Sequence, residues 1–178
     1  PYSSRLRQRG ANEHGSSNQI DGRVWLITGG LGGLGLRAAT LLVSGDATRL
    51  MLSSRSGRVA RNGQGLADCL SALGSMATVA ACDGSDSAQA AQLQSACALA
   101  HGVLHSAGVT DDQRLLRMTA STIPAVLSPK MMAAAYLHAS NAPVAHEALV
   151  LYSSGAATFG SVGQANYAAA NAGLDSLA

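Results

Sequence analysis

The chain has 178 residues, 47% of them hydrophobic, with only 12% charged and 3% aromatic, enough apolar matter for one packed domain and too much for a disordered chain. A net charge of +2 argues against nucleic acid or an anionic membrane as partner, and three cysteines without CxxC spacing argue against a disulfide framework or a zinc site. No apolar run approaches the roughly 20 residues that span a bilayer, so a soluble protein of a reducing, cytoplasmic setting is expected.

Residues 1–21 are polar, rich in Ser, Gly and Asn, and without apolar period. They read as a linker or the remnant of a preceding subdomain, with Arg5, Arg7 and Arg9 solvated. Residues 22–178 read as one domain. "RVWLIT" (23–28) is a β-rich run, "GGLGGLGLRAATLLVSG" (29–45) a glycine turn opening an amphipathic helix, and "RLMLSS" (49–54) a second strand. A surface loop (56–65), a small-residue helix "LADCLSALG" (66–74), a strand "ATVAAC" (77–82) and a helix over 87–100 follow. Next come the strand "GVLHS" (102–106), a helical region from roughly 119 to 140, the strand "EALVLYSS" (147–154) and the closing helix "GQANYAAANAGLDSLA" (163–178). Short apolar strands alternating with helices imply right-handed crossovers. The expected class is α/β: a Rossmann-like, doubly wound parallel sheet with helices on both faces.

The loop Thr28, Gly29, Gly30, Leu31, Gly32, Gly33, Leu34, Gly35 sits between strand and helix, the context in which a glycine pattern carries meaning. Five glycines in eight residues would allow a tight turn and close approach to a pyrophosphate met by the helix N-terminus. About 20 residues on, where an acid would hold the ribose 2′-OH of NAD, stand Ser54 and Arg55. A guanidinium suits a 2′-phosphate, so NADPH is expected rather than NADH. Cys82 and Asp83 close the third strand; Asp83 either accepts from an adenine amino group or caps the following helix. "HSAG" (His105, Ser106, Ala107, Gly108) ends the fourth strand, its small residues leaving room for a cofactor ribose. His105 is counted with this wall and reads as a packing or hydrogen-bonding residue rather than a catalyst.

Of the twelve basic residues only Lys130 is a lysine. In the closing helix, Tyr167 and Asn171 are four apart and share a face. Taken together, "VWLITGGLGGLGLRAATLL", "LSSRSG", "AACDGSD", "GVLHSAGVTDD", "VLSPK" and "LVLYSSGAATFGSVGQANYAAANAGLDSLA" resemble the catalytic half of a ketoreductase domain from a modular type I polyketide synthase, of the short-chain dehydrogenase/reductase superfamily. The resemblance covers residues 23–178.

Most short-chain reductases carry lysine four residues after the tyrosine; in this family asparagine stands there and the lysine comes from the preceding helix. The resemblance therefore assigns Tyr167, Ser154, Lys130 and Asn171 as the catalytic group, with Lys130 and Tyr167 also touching the cofactor. Ser154 lies 13 residues before Tyr167 and 24 after Lys130, as the family pattern has it. Ser153 competes, but strand alternation turns it from the face of Ser154.

The implied reaction is reduction of a β-ketoacyl thioester on an acyl carrier protein to the β-hydroxyacyl thioester. NADPH is the hydride source, Tyr167 the general acid and Ser154 the donor to the forming alkoxide. Asp112 matches the end of the "LDD" signature of B-type members, although Thr110 replaces its leucine, and Phe159 stands where A-type members have tryptophan. B-type stereochemistry is expected. Other synthase domains in the same polypeptide, no nucleic acid and no membrane are the implied partners. The family places a structural subdomain before this region and a substrate lid after it, so residues 1–178 alone are expected to turn over weakly or not at all. A fatty acid synthase or freestanding reductase, and a non-enzymatic NADPH-binding module, remain open alternatives.

Overall fold

The computed structural model describes residues 23–45, 47–60, 64–139 and 147–178; the linker reading of residues 1–21 and part of the surface loop (61–63) lie outside the described residues. Five strands, β1 (Val24–Thr28), β2 (Arg49–Ser54), β3 (Ala77–Ala81), β4 (Gly102–His105) and β5 (Ala148–Leu151), form one parallel sheet in the order β3-β2-β1-β4-β5. The chain runs outward from β1 to β3 and then crosses back to place β4 on the other side of β1. In register, Thr28 lies between Ser53 of β2 and His105 of β4, which aligns the carboxyl ends of the three central strands.

Strand pleating explains why these strands read as unbroken apolar runs, since neighbouring residues serve two different cores. Ile27, Leu50, Leu52 and Leu104 pack with Leu31, Leu36, Leu66 and Leu73, the face carrying helices α1 (Gly33–Ser44) and α2 (Leu66–Leu73). Leu26 and Val103 pack oppositely, with Leu93, Cys97 and Leu137, the face of α3 (Ser87–Ala96) and α5 (Ala133–Ala139). Coverage of both faces holds for the centre of the sheet only. Val79 on β3 and Leu149 and Val150 on β5 are exposed.

Within the region expected to be helical from 119 to 140, the described part falls into three pieces: α4 (Thr122–Leu127), a π turn (Ser128–Met132) and α5. Pro129 supplies the reason: it has no N–H and its ring crowds the carbonyl one turn earlier, so the α ladder cannot continue unchanged. The Ala133 N–H reaches back to the Ser128 carbonyl and to that of Lys130.

A short helix α6 (Ala156–Phe159), which local pattern did not suggest, precedes α7 (Ala165–Leu177). Alanine-rich α7 has high helix propensity and buries Asn166, Ala170, Asn171 and Leu174 along one face. It crosses the π turn so closely that a Cβ on Gly173 would overlap Met131 Sδ.

Candidate active site

A cavity of about 650 Å³ opens at the carboxyl ends of the strands. It lies where strand order reverses between β1 and β4, the place at which open α/β sheets bind ligands. Thr28, Gly29, Leu31 and Gly32 line it from the glycine loop, Ser106, Ala107 and Gly108 from the segment after β4. The two segments pack backbone to backbone: Gly29 has φ +69°, and a Cβ there would lie 2.5 Å from Ala107 N. Gly35, buried at the start of α1, would place a Cβ 2.5 Å from the Gly29 carbonyl oxygen. Gly30 and Gly35 thus pack the loop and do not line the cavity, while Gly33 and Leu34 face solvent. The cofactor roles expected of Gly33 and Leu34 therefore contract to the helix N-terminus they belong to. No side chain caps that terminus, which leaves its amides for an anion.

At the next wall, Arg55 lines the cavity beside Ser54, whose hydroxyl is buried without a hydrogen-bond partner. A buried orphan hydroxyl next to a guanidinium, together with a side-chain-free glycine cradle, fits the phosphates of a dinucleotide. Cys82 and Asp83 form the following wall. Burial, followed by the charge of Asp83, raises the Cys82 pKa, so the thiol is a neutral wall group. Asp83 Oδ1 accepts from Ser85 Oγ (2.6 Å) and Ser85 N (3.0 Å). These two bonds, with a lesser contribution from Arg55, hold its carboxyl below the usual carboxylate range.

The alternative reading of Asp83 as the helix cap is corrected: Asp86 caps α3, its Oδ1 accepting from Ala88 N (2.9 Å) and Gln89 N (3.0 Å). Asp83 lies four residues before the helix and closes its own turn instead.

Beyond the Gly108 end of the cavity stands Lys130, 4% exposed. Its Nζ donates to the Tyr152 carbonyl (2.8 Å) and lies 5.5 Å from the centre of the Tyr167 ring, within cation–π range. Burial lowers the Lys130 pKa, and Asp175 partly offsets this. The lysine from the π turn and the tyrosine from α7 are thus brought together as expected. Asn171 is fully buried; its Nδ2 donates to the Tyr167 carbonyl (2.8 Å) while its Oδ1 has no partner.

Both candidate serines follow the last residue of β5, Leu151, so strand alternation does not decide between them. Ser154 is half-buried with its Oγ accepting from Ala156 N (3.2 Å), whereas Ser153 is exposed and its Oγ donates to the Asn171 carbonyl (3.4 Å).

His105 departs from its expected place in the cofactor wall. It is 0% exposed and lies behind the cavity, bonded to Thr28 Oγ1 (2.6 Å) and to the Lys130 carbonyl (2.8 Å). Desolvation of the imidazolium, more than any other cause, takes its pKa from 6.5 to about 4. Asp112 is exposed, with Gln164 Nε2 donating to both its oxygens (3.0 and 3.2 Å). Phe159 is 89% exposed.

The KR domain family model matches residues 23–178. The chain belongs to the KR domain family.

KR domains are NAD(P)H-dependent oxidoreductases, and this one resembles those within modular type I polyketide synthases. It is 44% identical over 162 residues to polyketide synthase GfsB of Streptomyces halstedii, covering 89% of this chain and 3% of that protein. With the pikromycin polyketide synthase component PikAII of Streptomyces venezuelae it shares 40% over 159 residues, 86% of this chain and 4% of that one. Among solved structures, an A-type ketoreductase of a modular polyketide synthase superposes with TM-score 0.79 at 41% identity, over 92% of this chain and 35% of that chain. The first ketoreductase of the tylosin synthase gives TM-score 0.73 at 32% identity, over 92% of this chain and 37% of that one. The KR domain sequence thus spans a few per cent of the curated relatives it matches and about a third of the solved chains.

Three features of this KR domain escaped sequence reasoning. Tyr152 contributes a main-chain carbonyl, which leaves no residue-type signal. Asn166 ties the Asp111 carbonyl (3.0 Å) to the start of α7, its Oδ1 accepting from Tyr167 N (2.8 Å); an Asn in the first turn of a helix was the available clue. The Gln113 N–H likewise bonds the Gly163 carbonyl (2.8 Å). Together these contacts hold the Asp112 loop beside the tyrosine helix.

Proposed function

We infer that this KR domain carries the cofactor-binding and catalytic part of a β-ketoacyl reductase, reducing a β-ketoacyl thioester on an acyl carrier protein to the β-hydroxyacyl thioester within a polyketide synthase. The observation that carries this reading is a buried lysine from the π turn facing the ring of a tyrosine on another helix. Bound NADPH would supply the hydride.

The chain's own residues would manage the proton and the charge. Tyr167 is the general acid toward the ketone oxygen. Ser154 uses an oxygen lone pair on Ala156 N, which leaves its O–H to stabilise the forming alkoxide. Lys130 holds its ammonium beside the Tyr167 ring and has donors to spare for the nicotinamide ribose hydroxyls, one being spent on Tyr152. The open Oδ1 of Asn171 offers an acceptor in the proton path.

Arg55 and the orphan Ser54 hydroxyl support NADPH over NADH. Asp112, anchored by Gln164, together with Phe159 rather than tryptophan at position 159, supports a B-type product, although A-type ketoreductases are among the similar structures.

The test is an assay of the full-length synthase polypeptide with a β-ketoacyl thioester and either NADPH or NADH, followed by chiral analysis of the product. Tyr167→Phe is expected to lower kcat by about 10² or more, and Arg55→Ala to weaken NADPH use at least about tenfold while sparing NADH. Retained rate in Tyr167→Phe would remove the general-acid role. An A-type hydroxyl would remove the role given to Asp112.

A further inference from the structure

We propose that His105 is a positioning residue for Lys130, its imidazole holding the lysine main chain at the π turn so that the ammonium is presented to Tyr167. The proposal rests on the reading of Lys130 given above. Its geometry begins with hydrogen positions. A carbonyl oxygen can only accept, so the 2.8 Å bond between His105 Nε2 and the Lys130 carbonyl requires the proton on Nε2. In the neutral ring Nδ1 then carries the lone pair, and Thr28 Oγ1 at 2.6 Å is its donor. One chain of donors therefore runs from β1 through β4 into the π turn, with the tautomer set at both ends. The low pKa of the buried ring, about 4, keeps it neutral wherever a reductase would work.

The contacts close into a ring. The His105 side chain donates to the Lys130 carbonyl; the His105 carbonyl accepts from Tyr152 N (3.0 Å); the Tyr152 carbonyl accepts from Lys130 Nζ (2.8 Å). Lys130 is gripped at its main chain and at its ammonium by two residues that are themselves bonded to each other. The need arises at Pro129, which interrupts the α ladder next to Lys130. Within the turn the Lys130 carbonyl shares the Ala133 N–H with the Ser128 carbonyl, and the outside donor gives it an undivided bond and sets the orientation of the turn. An apolar residue at position 105 could fill the same space and supply neither.

The experiment compares two polar substitutions in the full-length synthase polypeptide, assayed with NADPH and a β-ketoacyl thioester. In His105→Asn the amide ends near the position of Nδ1 and reaches Thr28 only. In His105→Gln the amide extends to the position of Nε2 and can donate to the Lys130 carbonyl. Positioning predicts that H105Q keeps at least about half the rate, while H105N loses about tenfold in kcat with the thioester KM within about twofold. Equal loss in both variants would overturn the proposal, because a purely structural histidine has no reason to favour the longer amide. Should H105N fail to fold, His105→Met replaces it, matched in length to glutamine but without the donor; H105M equal to H105Q would overturn the proposal in the same way. Lys130→Ala completes a cycle: if His105 acts through Lys130, adding H105N to K130A changes the rate by less than about twofold, and full additivity overturns it. A K130A enzyme at wild-type rate would instead overturn the reading of Lys130 and the proposal with it, a result distinct from additivity.

Discussion

Lowering the pH from 7 to 4 perturbs one buried group more than any other described here. His105 is 0% exposed and its pKa lies near 4, against an ordinary imidazole value of 6.5. Between those two values the unfolded chain binds a proton that the folded chain refuses, so stability falls as the pH drops through that window. Below about 4 both states hold the proton and the loss levels off. At 1.36 kcal/mol per pH unit, the window corresponds to roughly 3 kcal/mol, a large share of the 5–15 kcal/mol that holds a typical domain.

The assay is urea unfolding of the ketoreductase domain, followed by circular dichroism at pH 7, 5.5 and 4, beside His105→Gln, which cannot titrate. The wild type is expected to lose about 3 kcal/mol more than H105Q between pH 6.5 and 4, a midpoint shift of roughly 1–3 M urea. Parallel losses in the two proteins would refute a buried neutral imidazole at this position. They would also remove the tautomer argument built on it.

Two further perturbations probe the glycine loop and a helix cap. Gly35→Ala places a methyl 2.5 Å from the Gly29 carbonyl oxygen and 2.6 Å from Gly30 Cα, backbone atoms that cannot move aside singly; NADPH affinity measured by fluorescence titration should fall at least about tenfold, since the loop must shift to accommodate it. Asp86→Ala removes both side-chain bonds at the start of α3 and should cost about 1 kcal/mol in urea unfolding. Cofactor affinity should not change, because the cap lies outside the cavity wall.

Much of this KR domain is legible in its residues taken locally. The glycine loop and the order of α and β elements follow from side-chain periodicity and from backbone constraints acting over a few residues, although the strand expected over 147–154 ends at Leu151. The pairing of Arg55 with the cavity likewise follows from its place at the end of β2. Even the unusual Tyr167–Asn171 spacing, with one lysine elsewhere, is a property of the linear chain once the family pattern is recognised.

Tertiary structure decided what depends on contacts between distant segments. Pro129 marks a break in a helix, but only the packed molecule determines that the break becomes a π turn whose Lys130 carbonyl meets His105 from β4. The same histidine, counted in sequence among cofactor-wall residues, is turned behind the wall because Thr28 offers it a hydroxyl across the parallel register of β1 and β4. Asp83 and Asp86 are both acids near the start of α3, and their roles separated on which carboxylate reached the free amides of the helix. Local sequence determines where a donor or acceptor stands along its own element. Which partner satisfies it is a property of the folded interior, where each buried polar group must find a hydrogen bond among whatever residues the sheet brings alongside.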